Sequence, residues 1–431
     1  MQRSIRALVV AILTWEARMT LARHAPKVIA VTGSVGKTTT KDAIHAALAA
    51  SLDARKSEKS LNSELGVPLT ILGLESAWNS PFGWLSNIVK GFARAVYSTR
   101  YPAWLVVEVG ADRPGDISAI ARWIKPDIAV ITGVPDMPVH VEYFASAEDV
   151  FREKRVLADN LKPGGKLILN GDDGRMKRLH GEFRGAAVRY GLEDGNEFSA
   201  REVTSLFENG RPVGMRFRME HSGSSVPVEI FGTLGLPRVY AALAALAAAD
   251  SAGVDAVSAA AALCLWKPPP GRVRILDGLK SSLIIDDSYN SSPAAALAAL
   301  DILEEVGQGK RRIAVLGDML ELGRHAKEAH RVVGERARRA CDLLVTVGIR
   351  ARTIAEAAID AGMKESTVRQ YELGESRRAG KELEAELSAD TVVLVKGSQG
   401  IRMERAVKEI MAHPERAAEF LVRQEEEWQN R

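Results

Sequence analysis

From Lys27 onward, short apolar runs rich in β-branched residues alternate with longer stretches of helical periodicity, the pattern of a mostly parallel sheet covered by helices. Val28–Thr32, Trp104–Val109, Ile128–Thr132 and Lys166–Leu169 are predicted strands, each closed by a polar or glycine-containing turn. Residues 187–233 change character. Val213–Met219 and Val226–Phe231 alternate apolar and polar positions around Glu-Asn-Gly-Arg and Ser-Gly-Ser-Ser turns, which predicts a small antiparallel portion in the same domain. The alanine-rich stretch 241–263 is predicted to be helical. Consecutive prolines at 268–270 cannot continue a helix and place a domain boundary before Gly271. Beyond it, predicted strands at 283–287, 313–317, 343–347, 368–371 and 391–396 alternate with helices near 293–306, 327–340, 351–362, 376–388 and 402–412. The expected architecture is α/β: a central parallel-sheet domain over 27–267, and a Rossmann-like C-terminal domain over 271–431.

Residues 1–26 form a separate N-terminal segment. Arg3 and Arg6 precede the apolar run Ala7 to Trp15, whose nine residues are too few to span a bilayer. Glu16 and Arg18 follow where a signal peptide would show a small-residue cleavage site. The expectation is a retained helix over 2–24 that packs on the body of the protein, with a membrane surface, met through its arginines and Trp15, as the alternative. At the other end, the acidic run 424–427 is expected to be a solvated helix end.

Composition adds exclusions. Hydrophobic residues make up 46% and charged residues 26% of the chain, which rules out disorder and collagen. Cys264 and Cys341 lie far apart with no metal-ligand spacing, so ordinary thiols in a reducing, cytoplasmic compartment are expected. A net charge of +3 is too balanced for a nucleic-acid footprint, and a monomer is expected.

The chemistry concentrates after the first strand. Thr32 to Thr39 reads T-G-S-V-G-K-T-T, a strand, a glycine turn and then a helix, which surrounds an anion with backbone N–H groups and a helix N-terminus. Gly33, Ser34, Gly36 and Thr39 belong to the cradle, Lys37 neutralises the β and γ phosphates, and Thr38 offers its hydroxyl to Mg²⁺. Val31 stands where the general phosphate-loop pattern has its first glycine, so the assignment rests on the strand–turn–helix context. Ligands of an open parallel sheet bind beyond the C-terminal strand ends, where Lys37 would meet Glu108 and, from the next strand's loop, His140. A carboxylate and an imidazole there can hold metal ions that bridge phosphates. The alternatives are a Glu108 that pairs with a lysine and a His140 on the surface.

Together with Leu61–Pro68, Glu108–Ala111 and the His140–Phe144 run, this loop resembles the Mur ligases of peptidoglycan synthesis. DDSYN at 286–290, LGDMLELG at 316–323 and VKGS at 395–398 are similar to the branch that joins D-alanyl-D-alanine to a UDP-muramoyl tripeptide. The resemblance covers roughly residues 27–412. It does not extend to the separate domain with which that branch grips the UDP-sugar, since about 26 residues precede the first strand. Ser60 and Ser63 replace asparagines of the usual motif, and Leu236–Ala241 stands where the family often carries a His and an Asn.

The resemblance implies ATP held by Lys37 and Thr38, and two Mg²⁺ ions shared among Thr38, Glu108, His140 and Lys154, the last carbamylated into a carboxylate-like group. Arg272 and Asp287 are implied to reach the nucleotide from the C-terminal domain, and Tyr289 and Asn290 to lie beside the adenine. Asn62, Asp318, Lys396 and Ser398 are implied to be substrate-binding. On the residues alone, Lys154 reads as a solvated helix lysine, and Asp318, Lys396 and Ser398 as strand-end turn residues. The implied activity is an ATP-dependent ligase of cell-wall precursor synthesis that activates a carboxylate as an acyl phosphate. The rivals are a related ligase with another acceptor, of cyanophycin or polyglutamate type, and a non-catalytic ATP-binding subunit at the inner face of the membrane.

Overall fold

The structure is a computed structural model that describes residues 3–135 and 143–429. Among the described residues, fifteen strands form two sheets. The first holds β1 (Lys27–Thr32), β2 (Ala54–Lys56), β3 (Trp104–Glu108), β4 (Ile128–Ile131), β5 (Lys166–Asn170), β6 (Ala186–Gly191), β7 (Phe198–Glu208), β8 (Arg211–His221) and β9 (Ser224–Phe231). Its spatial order is β2-β3-β1-β4-β5-β6-β7-β8-β9, parallel as far as β7 and antiparallel through β8 and β9. The expected antiparallel portion is therefore a continuation of the parallel sheet. It forms because β7 and β8 are joined by a tight turn through Gly210, which leaves no room for a helical crossover.

The second sheet runs β10-β11-β15-β12-β13-β14, from β10 (Arg274–Asp277), β11 (Leu283–Asp287), β12 (Arg311–Gly317), β13 (Leu343–Val347), β14 (Val368–Tyr371) and β15 (Thr391–Lys396). All pairs are parallel except β10 with β11. This α/β architecture is the one the alternating pattern predicts. Strand β10 was not predicted: four residues with charged ends carry little periodicity, and the strand exists because the proline connector lays the chain along an open edge.

Two further expectations change. The stretch 241–263 is broken into the helices Leu236–Ser251 and Ala256–Cys264, because Gly253 takes φ +87° and Asp255 caps the second helix by accepting from Ser258 N at 2.9 Å. The acidic tail is not simply solvated. Glu425 pairs with Lys59 at 2.5 Å, and Trp428 meets Trp78 edge-on with ring centroids 5.7 Å apart, so the chain end straps back onto the first sheet's domain.

Apolar layers cover both faces of each sheet. One continuous cluster runs from β1 and the helix Lys37–Ala49 through Val239 and Leu243 to Ile302 and Leu316 of the second sheet's domain, which ties the two units together. On the opposite face of the first sheet, Val9, Leu13 and Ala17 of the N-terminal helix Arg3–His24 pack against Leu72 and Trp84. That helix packs on the body of the protein through this face. Among the described residues no helix is long and apolar enough to cross a membrane.

Candidate active site

Strand β1 has β3 on one side and β4 on the other, so the crevice beyond its C-terminal end is the topological switch point of the sheet. Several chain segments enter it. The loop after β1 turns at Gly33 (φ +147°) and Gly36 (φ +83°), then starts the helix Lys37–Ala49. A side chain at Gly33 would collide with Thr132 Oγ1, 1.9 Å from where its Cβ would stand. That same hydroxyl donates to Val35 O at 2.6 Å, and Ser34 N donates to Gly133 O at 2.9 Å, so the end of β4 holds the loop in shape. The result is a rigid concavity of backbone N–H groups at a helix N-terminus.

Lys37 lies half-buried beneath it, with Nζ donating to Gly33 O at 2.9 Å. Burial lowers its pKa, Glu108 and Asp112 pull it back up, and Arg272 lowers it further. Glu108, at the end of β3, is almost fully buried. Its Oε1 accepts from Ser60 Oγ at 2.8 Å and from Asn62 Nδ2 at 3.0 Å, while Oε2 is buried with no hydrogen-bond partner. The Ser60–Asn62 loop is positioned by Lys41, a buried lysine whose Nζ donates to Ser57 O at 2.7 Å and Lys59 O at 3.1 Å. Thr38 Oγ1 lies 3.4 Å from Ser60 Oγ and accepts from Arg272 Nη2 at 3.3 Å. A continuous chain therefore runs Arg272, Thr38, Ser60, Glu108.

Lys154 enters from the helix Ala147–Asp159. It is not the solvated lysine that its spacing suggests. The preceding residue, Glu153, accepts from Gly115 N at 2.9 Å and Ile117 N at 2.8 Å, capping the helix Asp116–Ile124 and pinning its own helix against it. Lys154 is thereby buried, and burial, reinforced by the nearby Lys37 charge, lowers its pKa to about 7. At neutral pH a large fraction of this amine is uncharged.

The second sheet presents its C-terminal strand ends to the same crevice. Asp287 and Lys396 lie side by side in register on β11 and β15 and form a buried pair at 2.6 Å; Lys396 Nζ also donates to Asn290 O at 2.9 Å. The Arg272 guanidinium stacks 4.0 Å over the Tyr289 ring. Asp318, Ser398 and Leu320 form a separate knot at the end of β12. There, Asp318 Oδ1 accepts from Ala351 N at 2.7 Å, and Ser398 Oγ accepts from Leu320 N at 2.8 Å. Asp318 also lines a pocket of about 380 Å³ with Leu320, Arg350 and Ile401. The two clusters meet through Arg238, which the sequence did not single out as a site residue. Buried at the start of Leu236–Ser251, it donates to Thr39 Oγ1 at 2.6 Å, to Thr233 Oγ1 at 2.9 Å and to Arg272 O at 2.5 Å. No local pattern announces it. Thr39 is thus committed to Arg238 in this structure.

Glu108 with its unpartnered oxygen and the Thr38 hydroxyl form an all-oxygen donor set that suits Mg²⁺, a hard cation that takes few protein ligands and keeps waters and phosphates for the rest. Among the described residues no three His, Cys, Asp or Glu side chains cluster as a metal site of their own. His140, the other expected ligand, lies outside the described residues.

Residues 91–249 match the Mur ligase middle domain and residues 271–399 the Mur ligase glutamate ligase domain. The chain is 30% identical over 395 residues to the UDP-N-acetylmuramoyl-tripeptide–D-alanyl-D-alanine ligase of Bacillus subtilis, covering 90% of this chain and 76% of that protein. It is 29% identical to the enzyme of the same name from Synechocystis, covering 75% of this chain and 61% of that one. The MurF ligase from Thermotoga maritima, solved in complex with ADP, superimposes with a TM-score of 0.74 over 93% of this chain and 83% of that one at 24% identity, showing a shared fold. The chain belongs to the Mur ligase family.

Proposed function

We propose that this chain is an ATP-dependent peptide ligase of the MurF kind, which couples D-alanyl-D-alanine to the terminal carboxylate of a UDP-muramoyl tripeptide. The observation that carries the reading is Glu108: a buried carboxylate with one oxygen left unpartnered, hydrogen-bonded through Ser60 toward Thr38 and set beside Lys37 at the mouth of a phosphate loop. The curated relatives bear the corresponding activity in their names.

A carboxylate does not condense with an amine in water because it is a poor electrophile. In the proposed reaction a carboxylate oxygen attacks the γ-phosphorus, the bond to the β-γ bridging oxygen breaks, and ADP leaves. The amine nitrogen then attacks the acyl carbonyl, its proton passes to solvent or a nearby base, and phosphate departs with the former carboxylate oxygen. Mg²⁺ held by Thr38 and Glu108 would supply charge neutralisation between two approaching anions. This chain's own residues do the rest. The loop amides and Lys37 orient the γ-phosphate and stabilise charge as it develops. Arg272 brings a second cation from the other domain, so both domains must be together for the site to be complete, which shields the acyl phosphate from water. Lys154, largely uncharged near neutrality, can attack CO₂ through its Nζ, losing a proton and becoming a carbamate anion that faces the same crevice. Asp318 and its pocket at the end of β12 are assigned to the incoming amine.

Phosphate release should require ATP, UDP-muramoyl tripeptide and D-alanyl-D-alanine together, and fall to background when any one is omitted. Equal release with a different acceptor amine, or release indifferent to the tripeptide, would replace the substrate assignment.

A further inference from the structure

The N-terminal helix Arg3–His24 and the helix Pro81–Tyr97 run side by side in the same direction. Glu16 packs against Gly91, Trp15 stacks on Phe92 with ring centroids 6.4 Å apart, and toward the C-terminal end of both helices Arg23 donates to Ala95 O and Val96 O. Each helix has two apolar stripes. One faces inward: Val9, Leu13 and Ala17 on the first, Trp84 and Ala95 on the second, all buried against the first sheet's domain. The other faces solvent.

The outward stripes share one spacing. Ile5, Leu8, Ile12 and Trp15 fall at intervals of three, four and three residues, and so do Phe82, Leu85, Val89 and Phe92. Because the helices are parallel and Trp15 sits on Phe92, the two stripes lie abreast and merge into one ribbon. The ribbon is open: Leu8 is 61%, Phe82 86% and Val89 62% exposed. Amphipathic helices of a globular protein normally bury their apolar stripe, and a contiguous exposed patch of this kind marks an interaction surface.

Charge says what the surface meets. Arg18 and Lys90 are exposed beside the stripes, while Arg6 pairs with Glu64, Arg23 donates to Ala95 O and Val96 O, and Arg94 donates to Leu72 O and Gly73 O; the sole acidic residue of the two helices, Glu16, is buried in the contact between them. The ribbon is therefore apolar at its centre and cationic at its rim, with Trp15 between. That is the make-up of an element lying in the plane of an anionic lipid surface, its apolar side chains among the acyl chains and its cations at the headgroups. The second helix is essential to the argument: neither stripe alone is wide enough, and the helix at 81–97 gives no sign of its role until the fold sets it beside the first.

We infer that this two-helix ribbon docks the protein on an anionic membrane surface, as a peripheral protein. The full-length chain should sediment with vesicles of phosphatidylglycerol and phosphatidylcholine at low salt, lose binding as salt rises, and bind vesicles of phosphatidylcholine alone weakly. The double variant Phe82→Ser/Leu85→Ser removes only exposed side chains. Its thermal melting should match the parent's, while its affinity for the anionic vesicles falls roughly tenfold or more. Arg18→Glu with Lys90→Glu should abolish the preference for anionic lipid. Absence of vesicle binding by the parent, or unchanged binding by the Phe82/Leu85 variant, overturns the proposal. So does a parent that ignores vesicles and instead forms a dimer abolished by the same variant, since a second copy would then be the occupant.

Discussion

Lys37→Ala should lower the rate of phosphate release at saturating substrates by a factor on the order of 10²–10³, the scale of losing one preorganised donor to a developing oxyanion. Lys37 has no structural employment that would soften this. Its Nζ reaches the Gly33 carbonyl of its own loop, and its charge sits between Glu108 and Arg272. Without a triphosphate the ammonium lies across the loop mouth. With one, it exchanges a neutral carbonyl for an anion whose charge shifts during transfer. The loss should therefore fall mainly on kcat, since the loop amides, Thr38 and Arg272 still bind the nucleotide. Steady-state phosphate release by the variant checks this, and a rate within a few-fold of the parent's would remove Lys37 from the chemistry.

Lys154→Met should be comparably damaging to turnover, yet stabilising. The amine's pKa in the folded protein, about 7, lies far below the ordinary lysine value, so between that value and the usual 10.5 the folded state binds fewer protons than the unfolded state. Stability consequently rises with pH across this window, and at pH 6 the full cost of burying an ammonium is present, on the order of a few kcal/mol. Methionine, of similar length and uncharged, removes that cost. In bicarbonate-free buffer the variant should melt well above the parent at pH 6, and the difference should shrink as pH rises toward 10. Activity of Lys154→Ala should be low and partly restored by a small added carboxylate such as formate, as a carbamate's role requires. A variant that is fully active, or whose melting advantage is independent of pH, would show that Lys154 is neither anionic in function nor penalised by burial.

The phosphate loop was legible because its chemistry is local: a glycine turn, a lysine and a hydroxyl in consecutive positions between a strand and a helix. Glu108 was legible as a strand-end acid, though its state was not. That its Oε2 is buried and unpartnered depends on Ser60 and Asn62, which arrive through a loop pinned by Lys41. Lys154 illustrates the opposite case. Nothing in Phe-Arg-Glu-Lys-Arg distinguishes a buried lysine from a solvated one; only the cap that Glu153 makes on a neighbouring helix turns it inward. Arg238 was passed over for the same reason, since its three partners are scattered from Thr39 to Arg272. Helix 81–97 shows helical spacing in Phe82, Leu85, Val89 and Phe92, but nothing in the sequence announces that it lies beside the N-terminal helix. Alternation, turn chemistry and prolines located many of the strands but not their order in the sheets. What they could not carry was everything fixed by long side chains crossing between elements.

The central claim is that the substrate carboxylate is phosphorylated before it meets the amine. Its most direct test is a reaction with both oxygens of that carboxylate labelled with ¹⁸O, followed by mass analysis of the inorganic phosphate released. The account predicts one ¹⁸O in each phosphate and one remaining in the new amide carbonyl. Unlabelled phosphate, formed at the same rate as the peptide product, would contradict it.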